Sequence, residues 1–483
     1  MSNTLSKKLL INTLWSIIGH FGYIAIGLIS NIVLVRLLEP KDFGRIAIIM
    51  FFIAIFTVMI ESGLSGALVR KQNATEIDYS TIFIFNLAVS IVLMILLIGF
   101  SGYISEFYQD PQLKYILMTS SLVLLFNALR ITQTTKLIKQ MRFKAKALYE
   151  FVAILFSSIV AIILAIRGFG VWALIFLQIL TALTLTVILW VFVGPLKKYK
   201  FSFDSFKQFY KFGVNTTLAS LLNTVFDNIY QLILAKYFTL SQTGYFYQSK
   251  KLQETPVGII QSTVLGVIYS ALSKLQDDSN SFNKLYQEIV RIFTIIVALI
   301  CMLIYFYAEF IISTLYGDKW IESAIYLRLL IIAAFFYLQE IFNRIIFKVF
   351  DRTEKILQLE IIKKVVQTST IIYGVWVMSI EVLLYGFLIT SILSFFINYY
   401  FARKVQCYFS WKDFNTIIVV MISAIIVVLS NLFLVDYFNL NSIETLFILP
   451  LIIGSYTLIL HIFGVVQFSK DLKKIKFLLS KGE

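Results

Sequence analysis

Long apolar runs alternate with short polar segments along the whole chain. Their lengths predict fourteen membrane-spanning helices, at about residues 11–35, 46–69, 80–104, 115–135, 149–166, 170–193, 213–237, 244–272, 289–308, 321–347, 356–378, 382–402, 414–435 and 445–465. Each run is close to the roughly 20 residues that a bilayer core requires. None shows the period-two alternation of an outer-membrane barrel strand. The eighth and tenth runs are noticeably polar. All six tryptophans (Trp15, Trp172, Trp190, Trp320, Trp376 and Trp411) fall near predicted span ends, as an interfacial belt requires.

Composition narrows the class. Apolar residues make up 59% of the chain, charged residues only 14%, and mean hydropathy is +0.85. A soluble or disordered protein is excluded, and too few residues remain for a sizeable soluble domain. Cys301 and Cys407 offer no disulfide framework, and His20 and His461 are the two histidines. No CxxC, HExxH, GxxxxGK[ST] or GxSxG motif occurs, so neither catalytic residues, nor a metal site, nor a bound cofactor is expected. The first run is too long for a cleavable signal peptide and lacks a cleavage pattern.

The net charge of +15 first suggests nucleic acid, but the placement of the charges points elsewhere. Of the 42 Lys and Arg, with residues near span ends counted with the adjoining segments (Arg291 with 274–291, Lys236 with the loop after it, and Lys363 and Lys364 with the loop 348–364), 30 fall on segments of one side, 7 on the other, and five (Arg130, Lys250, Lys251, Arg328 and Arg344) inside spans. The positive-inside rule then puts both termini in the cytoplasm and gives the charge a topogenic role, with no nucleic-acid partner.

An internal repeat is visible. Val35-Arg36-Leu37-Leu38-Glu39-Pro40-Lys41-Asp42-Phe43-Gly44 parallels Ala235-Lys236-Tyr237-Phe238-Thr239-Leu240-Ser241-Gln242-Thr243-Gly244. Tyr108-Gln109-Asp110 parallels Tyr316-Gly317-Asp318, and Arg142 to Glu150 parallels Arg352 to Glu360. The matches come in order and at corresponding topological positions. They predict two six-helix lobes as a parallel repeat, 1–200 (spans one to six) and 201–413 (spans seven to twelve), with 414–483 adding two helices and a basic cytoplasmic tail. Such paired bundles rock about a site near the midplane.

Ionisable groups inside spans cost roughly 2.5–3.5 kcal/mol each if they face lipid, so they pair, snorkel or line water. Arg130, Lys250, Lys251 and Arg328 are candidates for an inward-facing surface that binds an anion. Arg344 is the most structural of the five, because Glu340–Arg344, like Lys250–Glu254, is spaced for a helix-internal pair. Among the acids, Glu61, Asp227 and Glu254 are candidates to exchange H+ or Na+. Span seven carries Thr216, Ser220, Asn223, Asp227 and Gln231 on one helical face, and that face either packs on a polar helix or lines a cavity. Span one carries Asn12, Ser16, Gly19, Tyr23, Gly27 and Ser30. His20 borders that stripe, either as a proton carrier or as a structural histidine.

The chain resembles the polysaccharide flippases of the multidrug/oligosaccharidyl-lipid/polysaccharide exporter superfamily, in particular the subgroup exporting repeat units such as those of colanic or teichuronic acid. The resemblance rests on Leu37-Leu38-Glu39-Pro40-Lys41-Asp42-Phe43-Gly44, Glu61-Ser62-Gly63-Leu64-Ser65-Gly66-Ala67-Leu68-Val69, Phe107-Tyr108-Gln109-Asp110, Met141-Arg142-Phe143-Lys144, Gly168-Phe169-Gly170-Val171-Trp172-Ala173-Leu174 and Tyr316-Gly317-Asp318-Lys319-Trp320. It implies an all-α, MATE-like integral membrane fold of about fourteen helices with a central cationic cavity. It also implies a bacterial inner-membrane carrier that moves undecaprenyl-diphosphate-linked oligosaccharide from the inner to the outer leaflet by alternating access. The implied partners are that lipid, the bilayer and polysaccharide polymerase or assembly proteins. A single chain suffices for such a cavity, so a monomer is expected. Two rival readings stay open: a cation-coupled multidrug exporter of the same superfamily, and a membrane polysaccharide polymerase. Span one has no acid of the kind drug exporters use, and no loop is long enough for a polymerase.

Overall fold

The computed structural model describes residues 22–61, 63–406, 411–438, 440 and 444–466. His20, the first half of the first predicted span and the basic tail lie outside the described residues. All regular structure among the described residues is helical. Among the described residues, eleven helices are long and apolar enough to cross a bilayer, and they correspond to fourteen expected spans less three. The first expected span is described only as α1 (Gly22–Leu37). The other two exceptions are α10 (Leu240–Ser273) and α14 (Thr353–Val377), whose polar content lowers their hydropathy. The expected polar tenth span qualifies after all, as α13 (Ser323–Val349). The eleventh does not, because α14 carries Glu354, Lys355, Glu360, Lys363 and Lys364.

The chain forms two compact units, Met1–Tyr247 and Gln248–Glu483. The division falls inside α10, later than the boundary near residue 200 that the repeat suggests. The reason is that α9 (Phe203–Tyr237) packs on helices of the first unit.

In the first unit, the second span is broken into α2 (Pro40–Glu61) and α3 (Leu64–Arg70). Gly63 makes the break with φ +62. A Cβ there would come within 2.0 Å of Thr216 Oγ1 and 2.8 Å of the Gly213 carbonyl, so the glycine also admits α9 against the turn. The remaining helices are α4 (Glu76–Phe107), α5 (Gln112–Ser120), α6 (Leu122–Lys139), α7 (Phe143–Ile166) and α8 (Val171–Phe192). At the end that carries the basic loops, Thr75 and Asp78 form a capping box at the start of α4. Asp78 also takes the Ser205 hydroxyl and pairs with Lys71 at 2.9 Å. Lys139 donates to the Leu68 carbonyl at the end of α3. At the opposite end, Arg45 bridges Asp110 at 2.6 Å and Asp42 at 3.2 Å. Two motif segments far apart in sequence are thus clamped together. The starts of α2 and α10 also cross here: a Cβ on Gly44 would lie 2.0 Å from the Leu240 carbonyl oxygen, and one on Gly244 would lie 2.0 Å from that of Pro40.

The second unit contains most of α10, then α11 (Ser279–Phe306), α12 (Ala308–Tyr316), α13, α14, α15 (Ile380–Gln406), α16 (Trp411–Phe438) and α17 (Leu449–Ile462). Its central helix is α13, with 72% of its apolar window buried, against 22–56% for the other spans. Phe282, Tyr286, Phe342, Ile346, Phe395 and Tyr456 pack in one core with it. Arg403 and Asp413 form an ion pair at 2.8 Å, with side chains 3% and 2% exposed, between the end of α15 and the start of α16. Tryptophans divide by role. Trp376 is 78% exposed, as a lipid-facing belt residue should be, whereas Trp320 is fully buried against Tyr316. Trp320 is therefore a packing residue and departs from the expected belt.

Candidate functional site

The stripe on α9 is the clearest polar surface in the first unit. Ser220, Asn223 and Asp227 are exposed, while Gln231, at its end, is buried. Residues Thr216–Tyr237 of this helix qualify as a membrane span. An exposed polar stripe on such a span cannot sit against acyl chains, where each unsatisfied group costs several kcal/mol. For these three residues the packing alternative finds no partner helix covering them among the described residues, and a wet cavity wall is the arrangement that would satisfy them.

Arg130 lies on α6, where its Nε donates to Asn127 Oδ1 at 3.0 Å. Its electrostatic neighbours are the carboxylates of Glu150 on α7 and Glu61 at the end of α2, with the Tyr23 phenol on α1 beside them. Arg130 and Glu61, expected to serve different tasks, thus share one electrostatic neighbourhood. Lys146 pairs with Glu150 at 2.7 Å, so this group holds two cations and two carboxylates.

In the second unit, Lys250 and Lys251 are adjacent on α10. Lys250 pairs with Glu254 at 3.5 Å, and the Glu254 carboxylate also acts on Lys251. Lys251 and Glu254 are exposed, whereas the Lys250 side chain is 13% exposed. Pro256 lies inside the same helix. It removes the backbone donor to the Leu252 carbonyl and weakens the turn that carries these charges. The helix thus offers two cations at a point where it can bend. Arg328, on α13, reaches the corner between α11 and α12, pairing with Glu309 at 3.0 Å and lying 5.8 Å from the Tyr305 ring.

A larger ionic cluster escaped sequence reasoning. Lys363 contacts Glu340 at 3.1 Å, Glu340 contacts Arg344 at 3.9 Å, Arg344 contacts Glu360 at 2.6 Å, and Glu360 contacts Lys364 at 4.0 Å. The charge count assigns Lys363 and Lys364 to a loop of the basic side. The structure corrects this: α14 starts at Thr353, so both lie some ten residues inside it. The signal was present in the overlap of these residues with the expected span 356–378. The side bias survives the loss of two residues.

An apolar cavity of about 260 Å³ opens among α11, α13 and α16, beside Cys301, Phe335, Met421 and Val428. Its lining suits a hydrocarbon segment and not a sugar. No group of three or more His, Cys, Asp and Glu able to hold a metal ion occurs among the described residues.

Residues 33–325 match a protein family described as polysaccharide biosynthesis protein. The succinoglycan biosynthesis transport protein ExoT of Rhizobium meliloti (strain 1021) is 21% identical over 315 residues, 65% of this chain and 64% of that protein. The chain thus matches just under two thirds of that relative's length. A membrane protein of the cps region of Klebsiella pneumoniae is 24% identical over 471 residues, 95% of this chain and 96% of that protein. Among solved structures, the lipid II flippase MurJ in an inward closed conformation superposes with a TM-score of 0.74 at 18% identity, covering 93% of this chain and 98% of that one. The fold is shared with MurJ.

Proposed function

The chain belongs to the polysaccharide biosynthesis protein family, and from that premise we propose that it is a lipid-linked oligosaccharide flippase. It moves undecaprenyl-diphosphate-linked repeat units from the cytoplasmic to the outer leaflet of the bacterial inner membrane by alternating access, with both termini in the cytoplasm.

The physical need is plain. A sugar hydroxyl costs roughly 4–8 kcal/mol to move from water into alkane, so a glycan with many hydroxyls does not cross unaided. The observation that carries the reading is the exposed row Ser220, Asn223 and Asp227 along a membrane span. Such a row gives the glycan hydrogen-bonding partners at depths where lipid offers none. Lys250 and Lys251, with Arg130 and Arg328, attract the diphosphate, while the prenyl chain stays in hydrocarbon. The inside-negative potential assists outward movement of the anionic head by about 2.3 kcal/mol per charge per 100 mV. Asp227, Glu254 or Glu61 exchanges H+ or Na+ to reset the carrier. Arg130, sharing its surroundings with Glu61, ties the anion to that exchange.

The test is reconstitution of the full chain in liposomes loaded with fluorescent undecaprenyl-diphosphate oligosaccharide. The expected result is protein-dependent appearance of the glycan on the far leaflet, with no incorporation of labelled nucleotide sugar. Sugar incorporation without translocation would make the protein a polymerase.

A further inference from the structure

α9 is longer than a membrane crossing needs. It runs for 35 residues, Phe203–Tyr237, yet only Thr216–Tyr237 has the apolar character of a span. The helix before Thr216 adds about 20 Å at 1.5 Å per residue. This stretch leaves the hydrocarbon for the headgroup layer, at the end of the first unit that carries the basic loops.

The link from α8 is fastened to the same place. The Lys200 amide donates to Ser80 Oγ at 2.6 Å and the Ser202 amide to Thr81 Oγ1 at 3.1 Å, both on α4. Ser202 then caps α9 through the Ser205 amide, and the Ser205 hydroxyl donates to Asp78. The link is thereby held against the start of α4.

Two kinds of side chain are displayed there. Lys197, Lys198, Lys200 and Lys207 are exposed, and so are the rings of Tyr199, Phe201, Phe203 and Tyr210, with Phe203 at 69%. The rings form a ledge. Phe206 lies 5.9 Å from Phe201, 6.3 Å from Phe203 and 5.3 Å from Tyr210, with Phe85 of α4 at 4.8 Å. Tyr199 lies 5.9 Å from Phe83. Residues 195–211 hold five lysines against a single acid, Asp204.

A cavity of about 330 Å³ opens between this stretch and α3, among Ala67, Arg70, Lys71, Gln208 and Phe209. Its lining combines apolar and polar groups. Lys71 shapes it: the ammonium holds Asp78 at 2.9 Å and Gln208 Oε1 at 3.1 Å, and lies 5.3 Å from the Phe209 ring. One side chain thus ties α3, α4 and α9 together around the opening.

Rings interleaved with lysines at headgroup depth belong to a membrane interface, where the ring sits among the glycerol esters and the ammonium meets the phosphates. The excess of lysine selects anionic over zwitterionic lipid, each lysine near the surface being worth about fivefold. We propose that residues 197–210, with the cavity between α3 and α9, form a docking surface for an anionic glycerophospholipid of the surrounding leaflet. Its phosphodiester and glycerol sit beside Arg70, Lys71 and Gln208, in the field of the exposed lysines, while the aromatic ledge meets the ester region. This lipid belongs to the bilayer and is not the cargo, so the proposal stands apart from the carrier reading. The seat lies at the root of the helix that carries Ser220, Asn223 and Asp227.

Native mass spectrometry of the delipidated full-length protein, given equal amounts of phosphatidylglycerol and phosphatidylcholine, reads the preference. The parent should retain phosphatidylglycerol at least fivefold over phosphatidylcholine. Lys197→Gln with Lys198→Gln and Lys200→Gln should bring that ratio close to one, and arginine at all three positions should keep it. Lys274→Gln with Lys284→Gln and Lys348→Gln removes the same charge from other exposed sites and should leave the parent's ratio. Equal retention of both lipids by the parent overturns the proposal, as does a parent-like ratio in the Lys197 triple variant. An equal fall in both glutamine triples also overturns it, because net charge alone would then account for the preference. Should the Lys197 triple variant fail to fold, Phe203→Ala with Tyr210→Ala decides: phosphatidylglycerol retention should fall at least threefold, and unchanged retention rejects the docking surface.

Discussion

Gly44 and Gly244 make the same contact from opposite sides: each leaves room for a carbonyl oxygen of the other's helix start, Leu240 facing Gly44 and Pro40 facing Gly244. The residues are equivalent in the internal repeat, so the contact is a local two-fold axis between the N-terminal turns of α2 and α10. A methyl group at either site would stand 2.0 Å from an oxygen, far inside van der Waals contact. The two turns must then part. In the proposed orientation, with both termini in the cytoplasm, this crossing would lie at the outer face, which the proposed carrier must keep shut while it is open to the cytoplasm.

Gly44→Val and Gly244→Val should therefore have the same phenotype. Each should raise the labelling of a cysteine introduced at Ser241 by a membrane-impermeant maleimide, and each should cut transport at least tenfold. Wild-type transport in either variant would show that the crossing is not required to close.

The carrier reading makes the α9 stripe a wet surface, and this predicts a labelling pattern. In a Cys301→Ser, Cys407→Ser background, Ser220→Cys and Asn223→Cys should react with a water-soluble maleimide. Leu234→Cys on the same helix is fully buried and should not react. Ile95→Cys on α4 should also stay unlabelled, because its 60% exposure is to acyl chains. Equal protection of all four positions would mean that α9 faces a dry surface.

Much of this was legible in the sequence. Apolar runs mark the spans because backbone groups in hydrocarbon must be satisfied within a helix, and the runs are long. The stripe on α9 was visible because helical periodicity keeps residues four and three apart on one face. The Gly44/Gly244 equivalence was visible as a repeat, but its reciprocal contact was not, since no pattern says which two turns meet. The cluster on α13 and α14 is hidden in the sequence because lysines near a span's start count naturally with the preceding basic loop; pairing lets α14 carry them inside. Trp320 was misjudged for a related reason. Proximity to a span end is a statement about depth, and does not reveal whether a side chain faces lipid or the core.

The Arg403–Asp413 pair predicts an asymmetry in stability. Removing one partner of a buried ion pair leaves an uncompensated charge and costs about 3–5 kcal/mol, whereas replacing both with apolar groups is often neutral or better. Arg403→Met alone should lower the thermal midpoint of the detergent-solubilised protein, as should Asp413→Leu. The double variant should recover most of the loss. Additive losses in the double variant would show that the pair is not coupled. The stacking of Arg403 over Tyr399, at 4.6 Å, limits how complete the recovery can be.

The charges on α10 bear most directly on the carrier account. In liposomes containing fluorescent undecaprenyl-diphosphate oligosaccharide, the rate of transfer between leaflets should fall at least tenfold for Lys250→Ala with Lys251→Ala. Substituting both by arginine should restore much of it, since the charge returns. Transfer at the parent rate by the doubly neutral protein would contradict the account.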